Sequence, residues 1–168
     1  MEFLERLRCL TFGTLALRLA LAALCGGVLG YGRSQQVRPA GLRTYMLACV
    51  AAASSVLLSL YEYEMLRSVW AEIAPNAANK FDVGRIAAQT ISGIGFIGAG
   101  MIIKATHQQV RGLTTATGLF AAVCLGLACG VGFYECVIPA VVLIFLVLNV
   151  MSPLEGEFKR KLRNMTMR

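Results

Sequence analysis

The stretch Asp82–Gly100 reads D-V-G-R-I-A-A-Q-T-I-S-G-I-G-F-I-G-A-G and decides the fold of this chain. It contains a formal G-x-G-x-x-G pattern, which in dinucleotide-binding proteins follows a strand and precedes an acidic residue that binds the ribose. Here the pattern lies inside the apolar run 86–103, and no acidic residue occurs between Asp82 and Glu135. The glycines therefore indicate close helix packing inside a membrane, where small residues line helix contacts.

The composition of the 168-residue chain is typical of a membrane protein. Apolar residues make up 57% of the sequence, the mean hydropathy is +0.67, and charged residues make up only 15%, against about 25% in globular proteins. The net charge of +7 comes from basic residues that flank apolar segments. The lipid bilayer is therefore the expected partner, and nucleic acid is not. The sequence before residue 30 lacks a clear cleavage site and is interpreted as a retained helix.

Apolar segments at 14–30, 42–60, 86–103, 115–133 and 136–151 predict an all-α membrane protein, a compact bundle of about five transmembrane helices. Only Tyr134 and Glu135 separate the last two segments. The fifth segment is therefore either the second arm of a tight hairpin or partly re-entrant, and four spans are the alternative to five. We expect a transmembrane domain over residues 1–153 and a basic cytoplasmic tail over residues 154–168.

The distribution of basic residues predicts the orientation, because lysine and arginine in short loops stay on the cytoplasmic side. With five spans, ten of these residues lie on the side of the C-terminus and five on the side of the N-terminus. The N-terminus is therefore expected outside and the C-terminus in the cytoplasm. Residues 61–81 then form the long outer loop, which either lies along the headgroups through Trp70 or is a solvated connector.

The cysteines do not predict a metal or redox site. They include no C-x-x-C pair, and the sequence has a single histidine, His107. We expect small buried hydrophobic residues, no bound cofactor and no enzymatic activity, because no serine–histidine pair, metal cluster or phosphate loop is present; the binding of a metal ion is left open. The cysteines are Cys9, Cys25, Cys49, Cys124, Cys129 and Cys136.

Polar residues of the third apolar segment share one face of a helix, within an arc of about 80°. This polar strip consists of Asp82, Arg85, Gln89 and Ser92, extended by Gly93 and Gly100. Gly95 and Gly98 lie on the opposite side, so small residues on both sides of this helix allow neighbouring helices to approach closely. The pattern predicts that the third helix lies at the centre of the bundle.

The charged residues of this region leave alternatives open. Asp82 stands where a helix N-cap would, so it is either a cap, a functional carboxylate, or both. Arg85 either takes part in the polar strip or extends outward to the headgroups. Arg18 lies inside the first segment at a similar depth, and we expect it to pair with Asp82 so that neither charge is left without a partner.

The fourth segment carries a small residue every fourth position, which predicts a helix-packing stripe. The stripe consists of Gly118, Ala122, Gly126 and Gly130. Gly26 and Gly30 form a shorter stripe in the first segment. Packing within the monomer is the favoured use of both stripes, and a homo-oligomer is the alternative.

Two basic segments, 38–44 and 111–115, repeat the order arginine, glycine–leucine and polar cap on the predicted cytoplasmic side. They are either anchors with ordinary helix caps or, together, a small anion or partner site. The candidate residues are Arg43, Arg111, Thr114 and Thr115.

Three motifs in order make this chain similar to the MgtC/SapB family of bacterial inner-membrane proteins. They are the P-A-G-L-R-T loop at 39–44, the 82–100 helix and the V-R-G-L-T-T sequence at 110–115, and the similarity spans about residues 18–133. The resemblance implies a multi-pass protein of the bacterial inner membrane linked to low magnesium, virulence and survival inside host cells. For the best-known members it implies regulation, including restraint of ATP synthase, more than magnesium transport.

Two departures qualify the resemblance. Family members usually carry an acidic residue where this chain has Gly32, and many carry a C-terminal soluble domain that we do not expect here. The favoured function is a regulator that contacts another membrane complex, such as ATP synthase. The alternative is a transporter of magnesium or another cation, with Asp82, Gln89 and Ser92 along the path.

Overall fold

The computed structural model describes residues 10–35, 40–73, 80–104, 110–149 and 151. Within these residues the chain forms α1 (Phe12–Gln35), α2 (Leu42–Arg67), α3 (Gly84–Met101), α4 (Leu113–Val131) and α5 (Tyr134–Asn149). Two short strands, β1 (Ile103–Lys104) and β2 (Val110–Arg111), pair antiparallel between α3 and α4. The all-helical class is confirmed. The basic tail and Cys9 lie outside the described residues.

Helices α1, α2 and α4 are long and apolar enough to cross a membrane. Helix α5 is apolar but has 16 residues, and α3 has 18 residues that include Arg85 and Gln89. The number of crossings and the orientation of the termini stay predictions.

The centre of the bundle is formed by α2 and α4. Helix α4 contacts all four other described helices, and more than half of its 19 residues are buried. In α3, which the structure describes throughout, Ile94 is the only buried residue of 18. The prediction that the third helix is central is therefore wrong. Its small residues make the helix thin, but only one side of it packs against the bundle.

Glycines bring the backbones of α1, α2 and α4 into direct contact. A Cβ atom at Gly130 would lie 2.7 Å from the carbonyl oxygen of Ala53, and one at Gly126 would lie 2.8 Å from Cα of Cys49. Both distances are too short for a methyl group, so the backbones of α2 and α4 are in direct contact at these glycines. The prediction that the stripes serve packing within the monomer is confirmed. The stripe glycines in such backbone contacts are Gly26, Gly30, Gly126 and Gly130, whereas Gly118 lies against the side chains of Tyr45 and Leu148.

Gly132 ends α4 and turns the chain directly into α5. Its φ of 84° is left-handed, its N–H donates to the Cys129 carbonyl, and the Phe133 N–H donates to the Ala128 carbonyl, at 3.1 and 3.0 Å. These are the bonds of a Schellman cap. Helix α5 then runs back along α4 until Leu148 packs on Gly118. The turn between α4 and α5 is therefore tight, as one alternative predicted, and a partly re-entrant α5 stays a prediction.

Three predicted boundaries need correction. Helix α2 continues to Arg67, so residues 61–67 belong to a helix and not to a loop. Helix α3 ends at Met101, because the chain turns into the β hairpin where the apolar run continues in sequence. Helix α1 extends to Gln35, five residues past the apolar segment. Among the described residues of the predicted outer loop, Trp70 is half exposed, and residues 74–79 lie outside the described part.

Candidate functional site

One side of α3 presents polar and small residues to the outside of the molecule. We call this side the outer face; successive 100° rotations place its members within an arc of about 120°. All of them are exposed. Arg85, Gln89 and Ser92 of the predicted strip therefore share a real face of the helix, but it points away from the bundle and includes Gly95, which was predicted on the opposite side. The outer face consists of Arg85, Ala88, Gln89, Ser92, Gly95, Phe96 and Ala99.

The glycines of α3 differ in their surroundings. Gly98 faces α4, and a Cβ atom there would lie 3.7 Å from Cβ of Ala116, an ordinary contact that does not require glycine. At Gly93, Gly95 and Gly100 no described atom lies within 4 Å of such a Cβ. These three glycines do not pack within the described chain, which corrects the prediction. The physical reason is that α3 lies at the edge of the bundle.

Asp82 lies just before α3 and is exposed. Its Oδ1 accepts a hydrogen bond from the Gly84 N–H at 2.9 Å, and Val83 is the N-cap residue. The carboxylate therefore satisfies one of the free amides of the first turn, as a capping side chain does. It also lines a small cavity of about 140 Å³. The cavity residues are Glu62, Lys80, Phe81, Asp82, Arg85 and Ile86.

Arg18 of α1 is buried against the end of α4. It is 1% exposed, and its Nη1 donates to the Gly130 carbonyl at 2.9 Å. The guanidinium lies 3.1–3.4 Å from where a Cβ at Gly132 would be. It thus stabilises the carbonyl end of α4, where the helix dipole favours a positive charge. Among the described residues no ion pair joins Arg18 to Asp82, so the predicted pair is wrong.

Arg33, Tyr45 and Thr115 form a buried polar cluster where α1, α2 and α4 meet. Arg33 is 4% exposed, and its Nη2 donates to the Thr115 hydroxyl. The guanidinium lies 5.8 Å from the centroid of the Tyr45 ring, within cation–π range, and the Tyr45 hydroxyl donates to the Thr115 carbonyl at 3.4 Å. The cluster joins three helices at one end of the bundle.

Sequence reasoning identified Thr115 but missed Arg33 and Tyr45. A signal for Arg33 was present, because Gly26, Gly30 and Arg33 lie within about 60° on one helix face. An arginine on a close-packing face is expected to be buried, whereas the charge distribution treats Arg33 only as one of the ten basic residues on the side of the C-terminus. Tyr45 carries no comparable signal in its sequence surroundings.

The other candidates of the two basic segments point outward. Arg43 and Thr114 are exposed, and Arg111 lies in β2, with its side chain outside the described part. The two segments are nevertheless connected, because Tyr45 follows the first and bonds Thr115 of the second. The common anion or partner site stays a prediction.

Three of the six cysteines are buried, as predicted, in the core between α1, α2 and α4. Cys25, Cys49 and Cys129 are at most 8% exposed, and the Cys49 thiol donates to the Ala122 carbonyl at 3.0 Å. Cys124 is half-buried, whereas Cys136 is exposed, so the prediction is wrong for Cys136. Among the described residues no group of three acidic, cysteine or histidine side chains is arranged to hold a metal ion.

Comparison with known proteins identifies the family. The MgtC family model matches residues 19–157. The relatives include a protein of Escherichia coli K12 named "Putative magnesium transporter YhiD", 36% identical over 86% of this chain and 64% of its own length. Protein SapB of Bacillus subtilis is 38% identical over 71% of this chain and 48% of its own length. Protein MgtC of Brucella abortus is 39% identical over 81% of this chain and 50% of its own length.

The chain thus spans about half to nearly two-thirds of the length of these relatives. No solved structure matches it. The family model covers most of the chain. Its match contains the 39–44 loop, helix α3 and the 110–115 motif, the three motifs that make the sequence similar to the MgtC/SapB family. This chain is a membrane protein that belongs to the MgtC family.

Proposed function

We propose that this protein is a regulator of the bacterial inner membrane, linked to magnesium limitation and to virulence or intracellular survival, that acts by contact with another membrane complex. Family membership and the relatives named MgtC and YhiD support the magnesium setting. The observation that carries the contact mechanism is the exposed outer face of α3.

The outer face has the chemistry of a protein contact more than of a lipid contact. Gln89 and Ser92 are exposed and make no side-chain hydrogen bond within the described residues, and polar groups facing lipid are costly. A neighbouring helix satisfies them, at about 1 kcal/mol for each interhelical hydrogen bond. Because Ala88, Gly95 and Ala99 are small, the backbone of that neighbour can approach closely.

ATP synthase is the candidate partner that the family resemblance supplies. A second copy of the chain is the other candidate, since the glutamine amide both donates and accepts hydrogen bonds. In both cases the partner is an integral membrane protein that places a helix along the outer face.

Cation transport is the second candidate function. The name of YhiD favours it, as does the cavity that Asp82 lines with Glu62. Lys80 and Arg85 line the same cavity, so its formal charge is balanced. A magnesium site instead concentrates carboxylate and carbonyl oxygens, which makes regulation the stronger proposal.

The contact is tested with Gly95→Leu and Gly93→Leu. Both positions have open space around Cβ, but only Gly95 belongs to the outer face. Membranes from magnesium-starved cells carrying each variant are solubilised, and the proteins that co-purify are identified. We expect the wild type and Gly93→Leu to retain the same partner and Gly95→Leu to lose it.

Reconstitution separates the two candidate functions. If the protein regulates ATP synthase, vesicles that contain both show less ATP-driven proton pumping, and Gly95→Leu relieves the inhibition. Magnesium flux by the protein alone, lost in Asp82→Asn, together with unchanged pumping, would replace regulation by transport. Partner capture that is equal in all three proteins would refute the outer face as the contact.

A further inference from the structure

An apolar groove runs between α2, α3 and α4, on the flank of α3 next to the bundle. Its volume is about 670 Å³, within the range of about 300–1,000 Å³ found for small-molecule sites. Along α2 it extends from Thr44 to Ala52, about 12 Å at the rise of a helix. The lining residues are Thr44, Leu47, Ala48, Ala51, Ala52, Thr90, Gly93, Ile94, Ile97, Leu119 and Val123.

The walls of the groove suit a hydrocarbon chain. The Thr90 hydroxyl hydrogen-bonds the Ile86 carbonyl at 2.9 Å and the Ser55 hydroxyl at 3.0 Å, so this wall does not require water. Leu47 and Ile97 at the rim are 70% and 52% exposed, which opens the groove sideways. In a membrane protein such an opening faces the acyl chains of the bilayer.

One end of the groove carries positive charge. Thr44 lines that end, and the neighbouring Arg43 is exposed. Gly41 precedes α2 without a side-chain cap hydrogen bond, and the helix dipole at this end favours an anion. A phosphate next to Arg43 would thus lie at the end of the apolar groove, as a phospholipid requires.

We propose that this groove binds one acyl chain of an anionic phospholipid, with the headgroup phosphate at Arg43 and the first turn of α2. The groove is centred about 150° around α3 from the centre of the outer face, and Gly93 at its edge lies about 40° from Gln89. Lipid binding and the proposed contact with another membrane complex therefore use different flanks of α3 and are tested separately. The bound lipid covers the open flank of α3 and supports the helix against α2 and α4.

Gly93→Leu fills the groove without disturbing the fold, since no described atom lies within 4 Å of a Cβ at Gly93. Gly95→Leu is the matched control, because Gly95 is equally open and does not line the groove. Ala51→Leu fills the groove from α2 and gives a second, independent variant. Thermal unfolding in detergent reports whether each variant is folded.

The probes are phosphatidylglycerol and phosphatidylcholine with matched acyl chains, added to the full chain in detergent and measured by native mass spectrometry. We expect wild type and Gly95→Leu to bind one phosphatidylglycerol, and Gly93→Leu and Ala51→Leu to bind it about tenfold more weakly. Arg43→Gln should weaken phosphatidylglycerol binding about fivefold and phosphatidylcholine binding less, because the choline group neutralises the phosphate that both lipids carry.

Equal phosphatidylglycerol binding by wild type, Gly93→Leu and Ala51→Leu would overturn the proposal. A wild-type dimer that binds no lipid and dissociates in Gly93→Leu would show that a second copy occupies the groove instead. Loss of the co-purifying partner in Gly95→Leu, with lipid binding retained, leaves both proposals standing. Loss of lipid binding in Gly93→Leu with the partner retained in every variant supports the lipid and refutes only the contact.

Discussion

Helices α3 and α4 are both rich in glycine, but they use it differently. In α4, Gly126 and Gly130 lie against the backbone of α2 at distances that exclude a methyl group. In α3, Gly93 and Gly95 have open space around the position of a Cβ atom. Small-residue spacing thus marks a helix surface that a neighbour can approach, and it does not tell whether that neighbour belongs to the same chain.

The largest difference in stability is expected between a leucine substitution at a glycine of α4 and the same substitution at a glycine of α3. Gly126→Leu forces a side chain into the backbone of Cys49 and should lower the free energy of unfolding by about 3 kcal/mol or more, since overpacking separates α2 from α4. Gly95→Leu meets open space and should change it by less than about 0.5 kcal/mol. Thermal and denaturant unfolding in detergent measure both, and similar losses would mean that α3 is packed after all.

The buried and exposed arginines give the next comparison. Arg18→Met removes the donor to the Gly130 carbonyl inside the bundle, and we expect a loss of about 2–3 kcal/mol because a charge-assisted hydrogen bond is lost where water does not replace it. Arg85→Met alters an exposed side chain and should cost less than about 0.5 kcal/mol. Chemical unfolding in the same detergent compares the two variants. Equal stability of Arg18→Met and wild type would contradict a stabilising role for Arg18.

Much of this architecture could be predicted from the sequence. Apolar run length gave the number and order of helices, and the four-residue repeat in α4 gave its packing stripe, because both depend on local helix geometry. Arg85, Gln89 and Ser92 of the predicted strip do share one face of α3. Asp82 precedes the helix, Gly93 lines the groove, and Gly95, predicted on the opposite side, belongs to the outer face. Periodicity relates residues of one helix to each other, so it could not tell that this face points outward.

The errors have the same origin. Arg18 and Asp82 were paired from their depth along the membrane, but depth does not fix the direction around the helix axis, and Arg18 points to the end of α4. The β hairpin was missed because two-residue strands are too short to show an alternating pattern. Arg33 could have been placed by the face it shares with Gly26 and Gly30.

Two adjacent threonines at the start of α4 allow a buried and an exposed position to be compared directly. Thr115→Val keeps the side-chain shape but removes the hydroxyl that accepts from Arg33, so we expect a loss of about 1.5 kcal/mol. Thr114 is exposed, and Thr114→Val should change stability by less than about 0.5 kcal/mol. Paired denaturant titrations measure the difference, and a Thr114→Val variant that is the less stable of the two would contradict the cluster.

The smallest effect on stability is expected at the start of α3, where variants of Asp82 distinguish a helix cap from a functional carboxylate. Asp82→Ala removes the acceptor of the Gly84 N–H and should cost about 0.5–1 kcal/mol. Asp82→Asn keeps an oxygen acceptor without the charge, so a pure cap predicts stability close to wild type and unchanged proton pumping in vesicles with ATP synthase. If Asp82→Asn is as stable as wild type but alters pumping or abolishes magnesium flux, the charge itself is needed for function. The first turn of α3 is then a functional site as well as a helix end, because Asp82→Asn differs from the wild type mainly in the charge.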